Sequence, residues 1–70
     1  MITVYSIEKC LHCANAKRKL VELNIPFDEI ICNKETLDYL QTKTSQLSMP
    51  VIFYNDEVVS LDEAIKKHNE

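Results

Sequence analysis

A chain of 70 residues that contains no glycine has few ways to reverse direction. At an average usage of about 7%, roughly five glycines are expected in this length. Their absence excludes the glycine-built phosphate cradles, both the P-loop and the G-x-G-x-x-G turn. Turns that need a positive φ must be made by Asn or Asp, whose short polar side chains tolerate that region best.

The remaining composition is that of an ordinary folded domain. Hydrophobic residues make up 46% and charged residues 27%, too apolar for a disordered segment. A chain of this size buries only about 60% of its unfolded surface, so one small domain over residues 1–70 is expected. Eight Lys and Arg against eleven Asp and Glu leave a net charge of −3. Nucleic-acid binding is not expected, because no basic excess is present to neutralise phosphates. No apolar run approaches the roughly 20 residues of a membrane span. Met1 to Tyr5 lacks the basic and long apolar regions of a secretory signal. Three cysteines are an odd number and make no disulfide scaffold. A reducing cytoplasm is the expected compartment.

Residues 2–5 are β-branched and aromatic and predict a strand. From about Leu11 to Asn24, Cys13, Ala16, Leu20 and Leu23 recur at helical spacing and form one inward stripe. Lys17, Arg18 and Lys19 fall mostly off that stripe; a solvated face is the plain reading, and steering of an acidic partner the sharper one. Pro26 ends the helix. Residues 27–32 predict a second strand, which makes a β-α-β unit with parallel strands and a right-handed crossover. Asn33 is a candidate N-cap for a helix over 34–45, with Leu37, Leu40, Thr44 and Leu47 inward. Val51 to Tyr54 is a continuous apolar run, expected of a strand covered on both faces. Asn55-Asp56 then predicts a two-residue hairpin into Glu57-Val58-Val59. Ser60 and Glu63 have the spacing of a capping box for a last helix with Leu61, Ala64 and Ile65 inward. The expected fold is α/β, in the order β-α-β-α-β-β-α, with a four-stranded mixed sheet flanked by helices.

The sharpest feature is Cys10-Leu11-His12-Cys13, placed where the first strand ends and the first helix begins. A thiol becomes a nucleophile only as the thiolate, and an unperturbed thiol is mostly protonated at neutral pH. A helix N-terminus offers free N–H groups and partial positive charge, which favour the thiolate. Cys10 is placed to attack a disulfide, and Cys13, one turn into the inner stripe, to resolve the mixed disulfide. Lys9 and His12 are positioned to add positive field. The competing structural reading is half of a zinc site, for which Cys32, His12 and His68 are the remaining ligands.

These residues resemble the glutaredoxin family of the thioredoxin-fold superfamily, over essentially the whole chain. Two motifs carry the resemblance: the C-x-x-C at 10–13, and Ser48-Met49-Pro50-Val51, which is similar to the family's Thr-Val-Pro. The resemblance implies a cis Met49–Pro50 bond facing the cysteines, with Met49 and Pro50 against the substrate. It implies glutathione as external reductant, no built-in cofactor or metal, and a monomer. It nominates Lys9, His12 and Asp62 as further glutathione contacts. The chain departs from the family at Leu11 and His12, where Pro-Tyr is common. It departs again at Glu8, where a basic residue is usual, and before the last helix, where Val59-Ser60-Leu61-Asp62 stands in the region of the family's usual glycine pair. A sister class, recycled by thioredoxin reductase and donating electrons to ribonucleotide reductase, is similar too, without its typical C-terminal motif. Partners implied are disulfide-containing proteins.

Three residues have plain structural readings beside functional ones. Cys32 reads as a small hydrophobe closing a strand, with redox sensing the alternative. Tyr5 reads as core rather than substrate contact. His68 lies on the last helix's apolar stripe and reads as a packed or fraying terminal residue.

Overall fold

In the computed structural model, which describes residues 1–44 and 48–70, the elements follow the expected order. They are β1 (Ile2–Ser6), α1 (Leu11–Glu22), β2 (Phe27–Ile31), α2 (Lys34–Lys43), β3 (Val51–Tyr54), β4 (Glu57–Val59) and α3 (Leu61–Asn69). The sheet order is β2-β1-β3-β4. β1 pairs with β2 in parallel, Ser6 opposite Ile31, and β3 runs antiparallel to both β1 and β4. β1 is therefore central, and its end carries the chain directly to Cys10.

Alternation along the central strands sorts the core into two layers. Ile2 and Val4 of β1 and Ile52 of β3 pack with Leu20 and Ile25 from the first crossover and Ala64 of α3. Val51 and Phe53 face the other way, onto Leu40 of α2, with Tyr5, Cys32 and Met49 alongside. Both layers draw on the run Val51 to Phe53, which is why that strand shows no polar alternation. Tyr5 stacks at a tilt on Phe53, ring centroids 5.3 Å apart, as core packing requires. Cys32 is half-buried in the same layer, and its N–H donates to the Ser6 carbonyl at 2.8 Å.

The glycine-free turns are built as expected, with one exception. Asn55 and Asp56 have φ of 53° and 70°, the pairing of a type I′ hairpin. Asn24, at φ 57°, ends α1. Its N–H donates to the Val21 carbonyl, and the next N–H, of Ile25, reaches back to the Leu20 carbonyl at 2.9 Å. That is a Schellman ending, with Ile25 and Leu20 in apolar contact. α1 thus closes at Glu22 rather than Asn24. Leu23, expected on the inner stripe, is the C-cap and 44% exposed. The exception is Lys9, at φ 56°. No Asn or Asp stands at that turn, and a residue with a Cβ is held left-handed immediately before Cys10 at a cost of about 1–2 kcal/mol.

Asn24→Ala is expected to lower stability by about 1 kcal/mol, several degrees in melting temperature for a domain this small. Asn24→Gly is expected to keep full stability. Thermal unfolding of the two variants followed by circular dichroism checks this; equal melting points would contradict it.

The remaining helix boundaries differ slightly. α2 ends at Lys43, and Thr44 is already extended, so the expected Thr44 turn of helix does not form. Leu47 lies outside the described residues. Asn33 caps α2 by accepting from the Thr36 N–H at 2.9 Å. In α3, Ser60 Oγ accepts from the Glu63 N–H at 3.1 Å, the expected cap. Leu61, Ala64 and Ile65 face the core, but His68 is exposed.

Candidate active site

The short turn after β1 delivers Cys10 to the N-cap of α1. Its Sγ takes the role that Ser or Asp usually has there, accepting the Cys13 backbone N–H at 3.2 Å. The Ala14 N–H is used by the Cys10 carbonyl at 3.1 Å, so the first turn closes on Cys10. Cys13, three residues on, is 1% exposed. Cys10 is half-exposed, and all three cysteines are free thiols. The i, i+3 spacing and the inner stripe place an accessible sulfur next to a sheltered one.

The two thiols ionise differently because of this placement. Cys10 is held below the ordinary thiol value, first by the hydrogen bond from the Cys13 thiol. Backbone N–H groups of the first helical turn and the Lys17 charge assist. Cys13 is pushed up by burial, and further by its bond to Cys10. The pair thus separates into an ionised acceptor and a protonated donor. Cys32 is pushed up by burial.

A groove of about 600 Å³ runs between α1 and the start of α3, reached by His12 from within the C-x-x-C segment. His12 and Lys19 line it from α1, Met49 and Pro50 from the loop before β3, and Ser60 and Leu61 from the start of α3. The Met49–Pro50 bond is cis, as the resemblance implied. Of the expected contacts, His12, Met49 and Pro50 therefore meet in one groove. Lys9 and Asp62 are exposed and not part of its lining. Lys19, expected on a solvated face, is part of it; its i, i+4 relation to Asn15 on the same groove wall is the signal the sequence carries for this.

Lys17 departs from the solvated-face expectation as well. It forms an ion pair with Glu29 of β2, and Ser6 Oγ donates to the same carboxylate oxygen at 3.0 Å. Among the described residues, no group of three or more His, Cys, Asp or Glu side chains converges as metal ligands do. The zinc reading therefore finds no third ligand there for the cysteine pair. No helix is long and apolar enough to cross a membrane among the same residues.

The mixed sheet with this strand order is the thioredoxin-like fold, here with one cysteine at the cap of its first helix and a second three residues on. A glutaredoxin family model matches residues 2–59, and the chain belongs to the glutaredoxin family. No curated protein sequence matches it. Among solved structures it is similar to a wheat glutaredoxin, at 23% identity and a TM-score of 0.76, covering 99% of this chain and 71% of that one. It is similar at the same TM-score to buckwheat glutaredoxin in complex with glutathione (20% identity, 97% of this chain and 67% of that one). The holo form of glutaredoxin C1 from Populus tremula x tremuloides matches equally well (18% identity, 97% and 73%). Family and fold together support thiol–disulfide oxidoreductase chemistry.

Proposed function

We propose that the chain reduces protein disulfides and glutathione mixed disulfides, with Cys10 as nucleophile, Cys13 as resolver and glutathione as electron donor. The observation that carries this is the Cys10 sulfur capping α1 with the Cys13 N–H at 3.2 Å, while Cys13 itself is buried. The Cys10 thiolate attacks one sulfur of the target disulfide, and the other leaves as a thiolate. Cys10 is then neutral, so the negative charge that opposed ionisation of Cys13 is gone. Cys13 gives up its proton, attacks the Cys10 sulfur, and releases the second target thiolate. Two electrons have passed to the target, and a Cys10–Cys13 disulfide remains. Two glutathione thiols return it to the dithiol, leaving as glutathione disulfide.

The groove beside His12, with the cis Met49–Pro50 loop as its wall, is the proposed seat of the glutathionyl group. The buckwheat protein of similar fold was solved with glutathione, which supports this assignment. Leu11, 72% exposed beside Cys10, offers an apolar contact for a protein substrate. A reducing cytoplasm is the proposed compartment, since the mechanism needs the dithiol restored.

Coupled NADPH consumption tests the donor. With a glutathione mixed disulfide, glutathione and glutathione reductase, steady turnover is expected. With thioredoxin reductase in place of the glutathione system, none is expected. Turnover in the second arm alone would overturn the glutathione reading in favour of a redoxin recycled by thioredoxin reductase, the type that supplies ribonucleotide reductase.

A further inference from the structure

Outside the dithiol and its groove, one charged cluster has no role in the steps above. Glu29 stands between Phe27 and Ile31, on the face of β2 that alternation turns toward α1. Its register partner on β1 is Val4, which is fully buried. Glu29 itself is exposed, 34% at its side chain, and it has two partners. Lys17 of α1 pairs with Glu29 Oε2, and the buried Ser6 donates to the same oxygen. Both partners lie close to the cysteines along the chain. Ser6 ends β1, at the start of the turn to Cys10. Lys17 is one helical turn beyond Cys13, and at 3.6 residues per turn the two lie within about 40° of each other around the helix. Helical side chains lean toward the N-terminus, so the Lys17 stem runs back over the turn that carries the cysteines.

We propose that Glu29 and Ser6 hold the Lys17 ammonium in place as a positioning residue for the dithiol, where its charge favours the Cys10 thiolate and Glu29 limits that effect. The proposal rests on Cys10 being the attacking thiol. The influence of Lys17 on both thiols, which favours the charged form of each, agrees with the geometry. The carboxyl of Glu29 is held below its usual range by Lys17 and then Ser6, so it stays charged wherever the thiols titrate. The other ionisable groups near Cys10 in the sequence are Glu8, Lys9 and His12, and Cys32 follows β2; none of them changes in the variants below.

An ion pair that only braces the fold and one that sets a charge beside a thiol give different results. Lys17→Gln and Glu29→Gln break the same pair, so a bracing role moves both variants in one direction or neither. If the pair acts on the thiols, the variants move in opposite directions. The reduced full chain is alkylated with iodoacetamide from pH 5 to 10, and the modified cysteine is identified by mass spectrometry. At neutral pH, Lys17→Gln is expected to slow Cys10 alkylation about two- to fivefold, the scale of one unit charge in a partly solvated site. Its midpoint shifts to higher pH. Glu29→Gln is expected to speed the reaction by a similar factor and shift the midpoint down. Lys17→Arg is expected to restore the original rate, and since a helix surface accepts Gln or Arg alike, that comparison reads the charge even if Glu29→Gln fails to fold. Shifts in one direction, no shift, or no difference between Lys17→Gln and Lys17→Arg overturn the proposal. Labelling of the unaltered chain at Cys13 or Cys32 in preference to Cys10 instead sinks the nucleophile assignment, and the proposal with it.

Discussion

Replacing Cys10 by Ser is expected to abolish disulfide exchange, with a loss of about a thousandfold or more. The size follows from the chemistry of the attacking atom. A serine hydroxyl is not ionised at neutral pH, and the helix N-terminus that tips a thiol toward its anion does not make an alkoxide. Single replacement of a nucleophile typically removes nearly everything the catalytic group does. The Ser variant should still fold, because a hydroxyl caps a helix at least as well as a sulfur does, and the Cys13 N–H at 3.2 Å keeps an acceptor. Unchanged melting together with lost turnover is therefore the expected pair of results. In the unaltered chain, reaction rate follows the thiolate fraction. It rises with pH through a midpoint below that of a free thiol and falls below it as Cys10 takes up its proton, since Cys10 is held down by its bond from Cys13. Appreciable exchange by Cys10→Ser would show that another cysteine attacks, and Cys32 would be the one to examine.

Replacing Cys13 by Ser is expected to split the activity in two. Reduction of protein disulfides should fall to a small fraction, because the resolving sulfur is gone and the chain is left joined to its target. Covalent complexes that disappear on treatment with dithiothreitol should accumulate on non-reducing gels. Reduction of glutathione mixed disulfides should persist, since a second glutathione can attack the Cys10–glutathione bond from solution. The serine hydroxyl can also donate to the Cys10 sulfur, so much of the thiolate preference is retained. Cys13→Ala removes that donor along with the resolver. It should show a Cys10 alkylation midpoint at higher pH than Cys13→Ser, because the thiol bond is the largest influence holding Cys10 down. Full protein-disulfide turnover by either variant would mean that Cys13 does not resolve.

The two cysteines differ in role although they are the same residue three positions apart, and the difference comes from the helix. The N-cap has extended backbone and faces solvent, whereas the position three residues later turns its side chain inward. The bond from the Cys13 thiol holds Cys10 down, and burial holds Cys13 up, so the placement of the pair makes one thiol acidic and the other not. Strand β1 contributes by ending where it does, and the turn through Lys9 contributes by accepting a left-handed backbone without glycine or asparagine. The same economy explains the Lys17–Glu29 pair. A carboxylate on an edge strand and a lysine on the adjacent helix reach each other because the parallel β1–β2 pairing sets the height of Glu29 along the sheet.

The sequence alone determined the order of elements, the hairpin at Asn55-Asp56 and the cap at Ser60. It also placed Cys10 at the cap of α1 and Cys13 on that helix's buried stripe. All of these depend on residues within a few positions of one another, where period, turn chemistry and capping act. Tertiary structure decided what depends on register and on which elements become neighbours. It took Leu23 out of the core by closing α1 with a Schellman turn, and left His68 in solvent. It moved Lys17 from a supposed solvated face to Glu29, a partner twelve residues away, and brought Lys19 into one groove with Pro50 and Ser60. Glu29, a charged residue between Phe27 and Ile31, stays exposed on its strand and has a partner all the same. Which partner it is depends on how a helix seats on a sheet, and local pattern does not encode that distance.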